Sequence, residues 1–126
     1  MSFGGPAPLY WLEVVTMSTA VVVQYRTRAD AADLNQQLIE AVFDELHARR
    51  PSGLRYMALR LDDGVGFVHV LVSEADDDPL AGLPAFRRFQ DGTDRRLVTA
   101  PTITAISVVG TYDGDLAMPT PRSGSK

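Results

Sequence analysis

A chain of 126 residues has the length of one domain, and a composition of 45% hydrophobic and 22% charged residues is that of an ordinary globular protein. A formal net charge of −4 with no basic stripe argues against nucleic-acid binding, and the absence of cysteine excludes disulfides, thiolate metal sites and a cysteine nucleophile. Two histidines, His47 and His69, are too few for a histidine-based metal cluster, so neither a metal nor a cofactor is expected. No apolar run approaches the roughly 20 residues of a membrane span, and the first residues lack the features of a secretory peptide. A cytoplasmic protein without membrane contact is the expectation.

Residues 1–18 are rich in Gly and Pro before a short apolar patch, and Met17 stands like a second start ahead of the first strand. They are read as an N-terminal extension, residues 19–113 as the folded unit, and residues 114–126 as a disordered tail. "AVVVQYR" (Ala20–Arg26) is β-branched and short, hence a strand. From Asp30 the period changes. Leu34, Leu38, Val42 and Leu46 recur every four residues, flanked by Ile39 and Phe43, which predicts an amphipathic helix ended by Pro51 and Gly53.

Two strands follow, Leu54–Leu61 and Val65–Ser73, with Asp63-Gly64 between them as a two-residue hairpin turn. Asp76, Asp77 and Asp78 read as a solvated acidic loop. A second helix carries Phe86, Phe89, Thr93 and Leu97 at helical spacing and is weakened at Gly92, while Arg87, Arg88, Arg95 and Arg96 read as its solvated face. Thr102–Tyr112 closes the set as a strand. The order β-α-β-β-α-β predicts an α+β, ferredoxin-like fold with a four-stranded antiparallel sheet and both helices on one face.

The hairpin sets which residues share a face. A two-residue turn opposes Arg60 to Phe67, Ala58 to His69 and Tyr56 to Leu71. One face then carries Met57, Leu59, Leu61, Val68, Val70 and Val72, and its apolar character assigns it to the helices. The other carries Tyr56, Ala58, Arg60, Phe67, His69 and Leu71, and is expected to face away and to need a second chain as cover. On this assignment Val70→Asp should badly destabilise the fold, whereas His69→Ala should be tolerated far better.

"VVVQYRTRADAADLNQQLIEAVFDEL" leading to a strand hairpin and then to "LPAFRRFQDG" resembles the dimeric α+β barrel superfamily, and within it the antibiotic-biosynthesis monooxygenase-like proteins. The resemblance implies a homodimer built sheet to sheet, with a small-molecule cavity between each sheet and its helices or loops. Some such proteins oxidise aromatic polyketides without a cofactor and others degrade haem. The haem route is the weaker one here: Gln24 stands where those enzymes place a cavity-facing asparagine, but Phe89 falls near their tryptophan and no histidine follows His69.

The candidate catalytic residues are His69, as a base near neutral pH, and Arg60, as a partner for an oxyanion. Gln24, Tyr56, Phe67, Leu71 and Phe89 are the candidate ligand-binding residues. The plain alternative is that His69 fills the interface and hydrogen-bonds across it. The function expected is binding of a small apolar or aromatic molecule by a homodimer, with cofactor-independent oxygenation as its enzymatic version and a non-catalytic ligand-binding or sensor module as the alternative.

Overall fold

The computed structural model describes residues 20–74, 80 and 82–114. The readings of an extension over 1–18, an acidic loop at Asp76–Asp78 and a tail after residue 114 lie outside the described residues. Strand β1 (Ala20–Arg26) leads through a 3-10 turn (Ala29–Ala31) into helix α1 (Ala32–Arg49). Strands β2 (Leu54–Arg60) and β3 (Gly66–Ser73) form the hairpin, helices α2 (Pro84–Gln90) and α3 (Thr93–Arg96) follow, and β4 (Thr102–Ala105) completes an antiparallel sheet in the order β2-β3-β1-β4. This is the ferredoxin-like α+β arrangement that the element order predicts. The last strand is shorter than the predicted Thr102–Tyr112. Val108, Val109 and Tyr112 stand exposed beyond it.

The hairpin register is the one the sequence implies, with Arg60 opposite Phe67, Ala58 opposite His69 and Tyr56 opposite Leu71. The turn that holds it is different. Asp63 does not adopt positive φ; Gly64 alone does, at +83°. The Gly64 N–H donates to Leu61 O at 2.9 Å and the Leu61 N–H to Gly66 O at 2.8 Å. Asp63 Oδ1 accepts from the backbone N–H groups of Val65 and Gly66 at 3.0 and 2.9 Å, so the aspartate folds the loop with its side chain. Those two bonds and Arg26 hold its carboxyl down at about 2.

The two faces are as separated as predicted, but their assignment is reversed. Phe67, His69 and Leu71 of β3, with Val21, Val23 and Tyr25 of β1, are buried in one cluster with Ile39, Val42, Leu80, Phe86 and Phe89. Met57, Leu59 and Leu61 are more than 40% exposed, and Val68, Val70 and Val72 are partly so. The more apolar face is thus the one the helices leave bare. The reversal has a physical cause: the polar groups of the covered face satisfy one another inside it, so their burial carries no penalty for unmade hydrogen bonds.

Helix α1 is rotated from its predicted seam. Ala32, Asn35, Ile39 and Val42 are its buried residues, whereas Leu34 is exposed. The chain leaves it through Arg50, which takes the left-handed conformation and donates its N–H to Leu46 O at 2.7 Å before Pro51. Pro84 opens α2, where its missing N–H is harmless, and the Ala85 N–H reaches Glu45 Oε1 of α1 at 2.9 Å. Gly92, at φ +82°, separates α2 from α3 as its place in the sequence suggests. No helix among the described residues is long and apolar enough to cross a membrane.

Candidate functional site

Strand alternation places Val21, Val23 and Tyr25 of β1 on the helix side, where Val23 pairs with His69 and Tyr25 with Phe67. Tyr25 therefore stands beside His69 across the ladder, and Tyr56 stands diagonally from it on β2. The Tyr25 hydroxyl lies 2.7 Å from His69 Nε2, and the Tyr56 hydroxyl 2.7 Å from His69 Nδ1. One imidazole is clasped by two phenols.

The run continues into the helices. Asn35 of α1 donates through Nδ2 to the Tyr25 hydroxyl at 2.9 Å, and Arg96 of α3 donates through Nε to Asn35 Oδ1, also at 2.9 Å. The other guanidinium nitrogens donate to the carbonyls of Phe89 and Asp91 at 2.6 and 3.2 Å. Helix α3 is tied to the end of β1 by the Arg28 N–H on Arg96 O and by a bridge between Thr27 and Leu97. Arg96 is thereby pinned from both sides, with its guanidinium over the Phe89 ring at 5.4 Å.

Around this run the walls are aromatic. Phe89 packs on His69 with ring centroids 5.6 Å apart, Phe67 stacks on Tyr25 at the same separation, and Phe43 lies 4.7 Å from Tyr56. Arg96, Asn35, Tyr25 and His69 are buried; Tyr56 is partly exposed and is the outer end of the run. Burial pushes His69 down to about 3, so the imidazole is neutral at physiological pH. Burial also raises Tyr25, against the opposing pull of Asn35 and Arg96, and raises Tyr56, with Tyr25 adding to it. All three rings are held uncharged.

His69, Tyr56, Phe67, Leu71 and Phe89 are brought together as the sequence suggests, though against the helices rather than away from them. Arg60 is on that same side but does not reach His69 by hydrogen bond. Its guanidinium donates to Gln36 Oε1 at 2.6 Å, Asp33 Oδ1 at 3.2 Å and Gly64 O at 3.0 Å, and lies over Phe67. Gln24 is on the bare face, paired with Val68 and Thr102. There it lines a shallow pocket of about 280 Å³ with Arg26, Leu61 and Thr99.

Three members of the run escape the sequence reading. Tyr25 has a visible signal, since it alternates with exposed Gln24 and Arg26. Asn35 is hidden because the leucine spacing draws the seam one position away. Arg96 reads as solvated among its charged neighbours but is only 6% exposed. No group of three or more metal-ligating side chains occurs among the described residues.

No family model matches the sequence, and no curated protein matches it. Solved structures do. Rv0793 from Mycobacterium tuberculosis superposes with a TM-score of 0.60 at 20% identity, over 75% of this chain and 97% of its own. An antibiotic biosynthesis monooxygenase gives 0.56 at 18% identity, covering 72% and 98%. A candidate antibiotic biosynthesis monooxygenase from Bacteriodes thetaiotaomicron VPI-5482 gives 0.59 at 12%, covering 79% and 94%. The fold is that of the antibiotic biosynthesis monooxygenase-like proteins. At these identities the likeness concerns the backbone, and the monooxygenase-like fold alone does not fix a reaction.

Proposed function

We propose that this chain forms a homodimer through its bare sheet face and binds a small aromatic molecule at the outer end of the polar run, beside Tyr56. The observation that carries the binding reading is the run itself: five polar side chains joined without a break through an aromatic interior and ending at the partly exposed tyrosine. Structural burial of a histidine needs one or two partners. A five-member run that surfaces at one point supplies both an aromatic wall and a single polar contact, the usual make-up of a small-molecule site. The dimer reading rests on Met57, Leu59, Leu61 and the valines of β3, an apolar surface that the helices leave uncovered.

Cofactor-independent oxygenation is the enzymatic form of this reading, supported by two structural neighbours named as antibiotic biosynthesis monooxygenases. His69 favours the non-catalytic form instead, because a group held at about 3 is a poor proton acceptor at neutral pH. Calorimetric titration with 1-naphthol, followed by aerobic incubation with a naphthohydroquinone without flavin, metal or nicotinamide, tests both. We expect saturable binding that weakens at least tenfold in Tyr56→Phe. Binding unchanged by that substitution removes Tyr56 from the site, and quinol turnover that persists in His69→Gln removes the imidazole from any reaction.

A further inference from the structure

The donors in the run have an order, and the order decides what its outer end offers. A guanidinium can only donate, so the Asn35 oxygen must face Arg96 and the Asn35 amide nitrogen must face Tyr25. The Tyr25 oxygen is then an acceptor of the Asn35 N–H. Its own single hydrogen goes to His69 Nε2, 2.7 Å away. A neutral imidazole whose Nε2 accepts carries its hydrogen on Nδ1, and that N–H donates to the Tyr56 oxygen. The Tyr56 hydrogen is left over, and no acceptor for it is found among the described residues.

We propose that the run is one-directional, from Arg96 through Asn35, Tyr25 and His69, and that it presents Tyr56 to the site as a hydrogen-bond donor selecting ligands with an acceptor oxygen. Ketones, quinones and phenolates belong to this class; the same ring skeletons without the oxygen do not. The ligand class rests on the binding site proposed above, whereas the direction of the run rests on the hydrogen bonds around a buried, neutral ring. Arg96 and Asn35 act in it as positioning residues, through His69.

The opposite direction is disfavoured by where it strands a hydrogen. If Tyr56 donated to Nδ1, the Nε2–H would donate to Tyr25, whose oxygen already accepts from Asn35. The Tyr25 hydrogen would then have no acceptor in a site only 4% exposed. The chosen direction leaves the spare donor on Tyr56, the least buried residue of the run, where a water or a ligand can take it.

Nitrogen-15 spectra of histidine-labelled protein report which ring nitrogen of His69 bears the hydrogen. We expect Nδ1 in the wild type. Asn35→Asp offers oxygens only, still facing Arg96 but now accepting from Tyr25, and should move the hydrogen to Nε2. Wild-type protein with the hydrogen on Nε2 overturns the direction without any variant, and so does an Asn35→Asp protein that keeps it on Nδ1. For the ligand, 1-tetralone and tetralin differ by one acceptor oxygen. Wild type should bind the ketone at least tenfold more tightly, and Tyr56→Phe should bring the two together. Equal wild-type affinities overturn the selectivity. Uptake of neither overturns the binding site beneath it, while the nitrogen spectra still decide the direction.

Discussion

His69 illustrates how far a single residue's role depends on what surrounds it. Its identity and strand position mark it as notable, and the hairpin pairing places it beside Tyr56. What the sequence does not reveal is the partner on the other ring nitrogen, because Tyr25 is 44 positions away and meets His69 only through the β1–β3 register. The resulting environment holds the ring neutral, with its acidity moved from 6.5 to about 3. Between those values the unfolded chain takes up a proton that the folded chain refuses, so stability rises with pH across that window. The contribution is complete above pH 6.5 and is lost on acidification at about 1.4 kcal/mol per pH unit. Urea titrations at fixed protein concentration between pH 7 and 4 should show this slope in the wild type and a shallower one in His69→Gln. Equal slopes would mean that the ring is protonated in the fold. An outward-facing ring would make His69→Ala tolerable, but the ring is buried among Tyr25, Tyr56 and Phe89, and its truncation should cost on the order of 3 kcal/mol.

At the scale of elements, the strands and helices were legible because period and punctuation agree: β-branched runs, a four-residue apolar spacing, an Asp-Gly turn and a helix-opening proline. The division of the hairpin into two faces was legible for the same reason. Which face the helices cover was not, because an apolar surface suits a helix layer and a subunit interface equally well. The deciding groups, Asn35 and Arg96, sit on other elements and supply the hydrogen bonds that make the more polar face buriable. Substitutions on adjacent residues of β3 separate the two roles. Leu71→Asp places a charge in the helix-covered core and should abolish folding, a loss of more than about 4 kcal/mol. Val70→Asp lies on the bare face and should leave the circular dichroism of a folded subunit while splitting the proposed dimer in light scattering. A Val70→Asp protein that unfolds, beside a Leu71→Asp protein that does not, would return the helices to the other face.

For the whole molecule, the sheet has two unlike sides: one encloses the polar run and its aromatic walls, and the other is an apolar surface that the helices leave exposed. The monooxygenase-like fold was visible from element order, and the structural neighbours share it over nearly their full length. The candidate site was visible in part, since five of the residues that meet there were named from the hairpin and α2 while Tyr25, Asn35 and Arg96 were not. Long-range hydrogen bonds leave no periodic trace in a sequence. Native mass spectrometry of the full chain mixed with 1-tetralone asks whether the two sides of the sheet serve binding and assembly. A species of about twice the 13.7 kDa chain mass carrying one ketone per chain is expected, with ketone uptake lost in Tyr56→Phe and the doubled mass retained. A species of single chain mass, or a dimer that takes up no ketone, would contradict it.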